Sequence, residues 1–240
     1  MPVLAGRQFD AIRRMRPTEQ NARQAVSGPE HARSEAENLL GDFRTLLQQI
    51  GSPGVELAPN GAFWTAPLDA PPALGQFLED YLTRLLLPCE LPAIVAACGH
   101  AQRGELRELL AQDQSLAAPL LPTPFAAPSR RMGLVQLARL RPLRDSRIVQ
   151  RYLAAVESGQ AHGWHTMVYG VTLAVFSLPL RQGLLYYSQE TLSVLASAAG
   201  RSKSVSQLEL DEMLSGLLAR VPAAVETALA GELANAELRR

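Results

Sequence analysis

Apolar residues recur in this chain at spacings of three and four, and nowhere do they alternate convincingly at a spacing of two, so the structure it can bury is helical. The clearest stretch is 180–199, where Leu180, Leu184, Leu185, Ser188, Thr191, Leu192, Leu195, Ala196 and Ala199 share one stripe. A first helix is expected over 37–50 (Leu39, Leu40, Phe43, Leu46, Leu47, Ile50), ended by Gly51-Ser52-Pro53-Gly54. A long loop follows to Pro72. Pro71-Pro72 opens a helix with Leu74, Phe77, Leu78, Tyr81, Leu82 and Leu85 on one face, and Pro88 is expected to close it. Pro92 starts the next helix, through Ile94, Val95 and Cys98 to a stop at Gly99, and Leu106, Leu109 and Leu110 mark another.

After the proline-rich stretch 119–128, one helix is expected around Met132, Leu134, Val135, Leu137, Ala138 and Leu140, and a second through Ile148, Val149, Tyr152, Leu153 and Val156. The nearly all-apolar segment 164–176 reads as a buried helix, because no other stretch of the chain supplies a partner strand. Helices near 206–220 and 223–237 are divided by Pro222. The expected architecture is therefore all-α: a single globular domain of about nine to ten packed helices spanning 37–240. Residues 1–36 are polar and aperiodic, and read as an extension that is mobile or depends on a partner.

Charge narrows the function. Basic and acidic residues total 23 each, which argues against a general polyanion binder, whether of DNA or of anionic membrane. Cys89 and Cys98 make no disulfide framework, the N-terminal residues hold no apolar run of signal-peptide length, and 164–180 falls short of a membrane span, so a cytoplasmic protein is expected. The neutral total hides a local asymmetry. Residues 129–151 carry Arg130, Arg131, Arg139, Arg141, Arg144, Arg147 and Arg151 against Asp145 alone. Such a run is either a solvated helical face or a surface for an acidic or nucleotide-bearing protein partner; it lacks the interleaved aromatics of a nucleic-acid site.

Few residues suggest chemistry. On a helix, His162 and His165 would share a face and could bind a transition metal; the alternative is a helix start whose histidine hydrogen-bonds nearby backbone. Cys98 and His100 put a thiol and an imidazole close together, though a cysteine on an apolar helix face also serves packing alone. Of the adjacent Tyr186 and Tyr187, one is expected to point away from the stripe, as an interface anchor or at the edge of the core. No nucleophile elbow, catalytic triad or Gly-rich phosphate loop is present in the sequence.

Several short motifs follow one another without a gap. They are Ser129-Arg130-Arg131-Met132-Gly133, then His165-Thr166-Met167-Val168-Tyr169-Gly170, Leu178-Pro179-Leu180, Leu192-Ser193, Ser197-Ala198-Ala199, Arg201 and Gln207. In order and spacing this series resembles the urease accessory protein UreF family, with Thr166 where the family usually has proline and Ser206 where it has glycine. In the first half, Leu46-Leu47-Gln48 with Ser52-Pro53 is similar to the family's opening segment. Of its next signature only Gly61-Ala62-Phe63 survives, followed by 64–69, in a segment the family associates with GTPase contact.

The resemblance implies an all-α, non-catalytic maturation factor that dimerises and joins the accessory protein UreD (or UreH). The pair recruits the GTPase UreG so that nickel reaches the urease apoprotein, with no stably bound cofactor of its own. It marks Phe63, Arg130, Arg131, Met132, His165, Arg201 and Gln207 as candidate partner-binding positions, and Tyr187 joins them as the tyrosine anchor read from the long helix. Two other readings remain open: a diverged helical scaffold with other partners, and a small metal-binding protein using His162, His165, Cys98 and His100.

Overall fold

The computed structural model describes residues 71–199 and 205–238, all of whose regular structure is helical. The expected extension over 1–36, the helix over 37–50, Phe63 and Arg201 lie outside the described residues.

Helix α1 (Pro71–Tyr81) does not end at Pro88. It continues through a π-helical segment (Leu82–Glu90) into α2 (Leu91–Arg103), and the whole run stops only at Gly104, whose φ of 72° closes the last turn. Proline cannot supply an N–H and crowds the carbonyl one α-turn back. The wider π turn absorbs both faults: the Leu91 N–H reaches the Leu86 carbonyl, five residues back, and Cys89 Sγ lies 3.8 Å from the Arg84 carbonyl. Gly99, expected as a stop, sits within α2.

The chain continues as α3 (Leu106–Ser115), the short α4 (Ala117–Leu120), α5 (Ala126–Leu140), α6 (Arg147–Glu157), α7 (His165–Val175), α8 (Leu180–Ala199), α9 (Gln207–Leu218) and α10 (Val221–Leu238). The expected linker over 119–128 thus already contains the first turn of α5. Pro222 falls in the first turn of α10, where a missing N–H costs nothing, so it separates α9 from α10 as expected. At α9, Ser206 Oγ accepts from the Glu209 N–H and the Glu209 carboxylate accepts from the Ser206 N–H, a reciprocal cap.

Helices α2 and α7 form the centre. Helix α7 is buried from His165 to Leu173 and packs on α2 and α5, while α2 also meets α3, α8 and α10. Two glycines make those contacts close. A Cβ at Gly170 would lie 2.5 Å from the Ile94 carbonyl oxygen of α2, and one at Gly133 would lie 1.8 Å from the Gly163 carbonyl oxygen. Two runs, Ala73–Arg103 and Gln207–Gly231, are long and apolar enough to cross a membrane, contrary to expectation. The first is a core element: Leu74, Leu78, Leu82, Leu86, Leu91 and Ile94 are buried within the helical cluster, and it carries the buried Glu90. The second is amphipathic, with Leu210, Leu214, Leu217, Val221 and Val225 inward and Glu209 and Glu212 exposed.

Candidate functional site

Four elements meet at a buried polar junction. From α7, the His165 ring places Nδ1 2.8 Å from Ser129 Oγ of α5 and Nε2 2.5 Å from the Tyr187 hydroxyl of α8. The Tyr187 hydroxyl donates to Glu90 Oε2 at 3.0 Å, and the Tyr81 hydroxyl donates to the same oxygen at 2.8 Å. The His165 backbone N–H donates to Ser129 Oγ at 3.3 Å. One proton arrangement satisfies every bond: Ser129 donates to Nδ1, Nε2–H donates to Tyr187, and both tyrosines donate to Glu90. It requires a neutral imidazole. Burial holds His165 down to about 3, and so supplies one. Burial also lifts the Glu90 carboxyl to about 7, against the pull of the two tyrosine hydroxyls.

Geometry explains why Tyr81 and Glu90 meet. Nine residues make two and a half turns of an α-helix and would leave the two side chains on opposite sides. In π geometry, at about 4.4 residues per turn, nine residues make close to two turns and bring them to one face. Sequence periodicity at 3.6 therefore passes over Glu90. The signal that could have found it is Pro88, a helix breaker in the middle of an unbroken apolar stripe.

A second buried carboxylate holds the start of α7. Asp113 of α3 accepts from the His162 N–H at 2.6 Å, the Gly163 N–H at 3.1 Å and the Tyr152 hydroxyl at 2.6 Å, while its own carbonyl accepts from Trp164 Nε1 at 2.9 Å. The stretch before His165 is thereby tied to α3 and α6, which sets where the imidazole enters the junction. Asp113 drew no attention in the sequence, because one acid on a charged helix looks like a solvated one.

The other candidate residues divide. His162 precedes the helix instead of sharing its face with His165, and its ring lies tilted at 31° against Trp164 with centroids 4.9 Å apart; both His165 ring nitrogens are already engaged. The two histidines are not brought together as a ligand pair. Cys98 and His100, two residues apart on α2, project to different sides. Burial pushes the Cys98 thiol up to about 11, and His100 Nδ1 lies 2.8 Å from Glu105 Oε2. Among the described residues, no three His, Cys, Asp or Glu side chains converge to hold a metal ion. Tyr186 and Tyr187 are both buried, so neither is the exposed anchor that adjacent positions suggest. Gln207 is exposed at the start of α9 and reaches Asp211 Oδ1 at 3.1 Å.

Helix α5 splits its motif between two faces. Ser129, Met132 and Gly133 point inward, whereas Arg130 and Arg131 are exposed. The outward face also carries Leu134, Val135 and Arg139. Of the apolar residues that mark this helix in the sequence, Leu134, Val135 and Ala138 face solvent, because Gly133, Gln136, Leu137 and Leu140 fill the inner side.

A family model described as UreF matches residues 69–218. The chain belongs to the UreF family. A search of curated proteins returns no significant match. Membership gives this UreF-family protein a urease accessory role, in a family of maturation proteins that are not catalysts. Its motif residues include Ser129 and His165 of the junction, Gly133 at the close approach of α5 to the start of α7, and Gly170 at the close approach of α7 to α2.

Proposed function

We propose that this chain is a non-catalytic scaffold in urease maturation, which with an accessory protein of the UreD or UreH type and a GTPase of the UreG type supports delivery of nickel to the urease apoprotein. The observation that carries the reading is the family match over 69–218. The buried junction then has a mechanical role. It locks α1–α2, α5, α7 and α8 in one arrangement, so that a partner seated on an outer helix face meets a rigid surface. Nickel is cargo in this reading, handled within the assembly.

Deletion of the gene in nickel-replete cells tests it, with urease activity as the readout. Loss of activity, restored by the full chain, is the expected result; undiminished activity sinks the proposal. Co-purification with the two accessory partners, with and without GTP, is the biochemical counterpart.

A second reading has one observation in its favour. The family match begins at residue 69, the last residue of the Gly61–Asp69 segment that departs from the family signature. A scaffold that keeps the helical fold but meets a different GTPase surface, or another partner, would erode there first. Capture of the UreD-type protein without the GTPase would support this second reading over the first.

A further inference from the structure

We propose that the outward face of α5 is the docking surface for an acidic amphipathic helix of an accessory protein, an inference that rests on the maturation role proposed above. The face has a definite pattern. Leu134 and Val135 are 47% and 43% exposed, with Arg130 and Arg131 one turn before them and Arg139 one turn after. From Arg130 to Arg139 the pattern basic, apolar, basic covers about 14 Å of helix axis. Beyond it, Arg144, Arg147 and Arg151 are exposed as well. Arg141 is paired with Glu157, but no ion pair joins Arg130, Arg131, Arg139, Arg144, Arg147 or Arg151 to a described residue.

Charge complementarity selects the occupant. Unpaired guanidiniums present planar forks of donors that match carboxylates two bonds at a time. The apolar pair between them would leave a phosphate backbone, charged along its whole length, without a partner at the centre of the contact. A helix bearing aliphatic side chains flanked by Asp or Glu one turn to either side satisfies both parts, and two helices pack ridge into groove over this length. The inner side of α5 is pinned by the Ser129 contact with His165 and the close approach of Gly133 to Gly163, so the face is presented without further ordering.

The test co-expresses the tagged full chain with the UreD-type and UreG-type proteins and compares wild type with R130E/R131E, L134A/V135A and R130K/R131K. The expected result is at least a tenfold loss of partner recovery for R130E/R131E, a smaller loss for L134A/V135A and partial retention for R130K/R131K, with circular dichroism and the urea midpoint unchanged. Recovery of the partners by R130E/R131E and L134A/V135A at the wild-type level overturns the proposal alone. Recovery of neither partner by the wild type overturns the maturation reading, and this one with it. Three further outcomes also overturn it: loss of capture on nuclease treatment, which would make the occupant a nucleic acid; conversion of a wild-type dimer to a monomer by R130E/R131E in light scattering, which would make it a second copy; and faster proteolysis within residues 1–70 of R130E/R131E at equal capture, which would make it a segment of this chain.

Discussion

The two sides of α5 are made from interleaved residues of one short motif, yet they answer to different constraints. Inward, Ser129 and Gly133 have no latitude: one bonds a buried imidazole, and the other lies where any Cβ would strike a backbone carbonyl. Outward, Arg130, Arg131, Leu134 and Val135 touch little of their own chain. Adjacent residues on a helix are 100° apart, so a single run of five can serve the fold and a partner at once. Substitutions should therefore separate stability from association according to the side they fall on.

The largest effect belongs to Gly133. Replacement by valine drives Cβ into the Gly163 carbonyl, which is backbone and cannot rotate away; a loss of about 3 kcal/mol or more in urea unfolding is expected. A change below about 1 kcal/mol would show that the approach of α5 to the start of α7 is looser than described.

The pH dependence comes next, and here the junction holds two opposing slopes. In the fold the Glu90 carboxyl keeps its proton up to about 7, whereas it ionises at its ordinary value of 4.5 when unfolded. Stability from this group is therefore full below 4.5 and falls by about 3 kcal/mol in all as pH rises to 7. His165 runs the other way. Its folded value near 3 lies below the ordinary 6.5, so its stability is full above 6.5 and is lost as pH falls toward 3. Between 4.5 and 6.5 the two slopes offset each other. E90Q should unmask a stability that climbs with pH through that window, and H165N one that declines; identical urea-midpoint profiles for wild type and E90Q would remove Glu90 from the account.

Smaller effects follow. Y187F deletes the hydroxyl that links His165 to Glu90 and should cost about 1 to 2 kcal/mol by thermal or urea unfolding. Thr166 Oγ1 is buried without a hydrogen-bond partner among the described residues, so T166V should stabilise by about 1 kcal/mol, detectable as a rise in Tm. R130E/R131E should change stability by no more than about 0.5 kcal/mol, since both side chains are exposed. A large destabilisation there would erase the contrast between the two faces.

Most of the fold was legible because burial writes a 3.6-residue period into a helix: the stripe of α8 and the division at Pro222 are found where expected, and the apolar segment 164–176 forms a helix buried from Trp164 to Leu173, with Phe176 at its end 51% exposed. The errors share a cause. Local propensity marks Pro88 and Gly99 as stops and hydrophobicity marks Leu134 and Val135 for the core, whereas a π turn carries the chain past Pro88, α2 runs through Gly99, and Leu134 and Val135 lie on the outward face of α5. The junction was half legible. His165 stands out through a family motif and Tyr187 through the adjacent tyrosine pair on the strongest helical stripe, whereas Tyr81 and Glu90 lie 75 to 106 positions away from them and only Pro88 marks their place in the sequence.

The sequence by itself determined an all-helical chain of the UreF family with a concentrated basic segment, since periodicity, motif order and charge are properties of neighbours along the chain. Which arginines stand free, which carboxyl keeps its proton and which histidine is sealed from solvent were decided only by the tertiary structure. Those properties depend on distance and on exclusion of water, and both are set by helices that meet from remote parts of the chain.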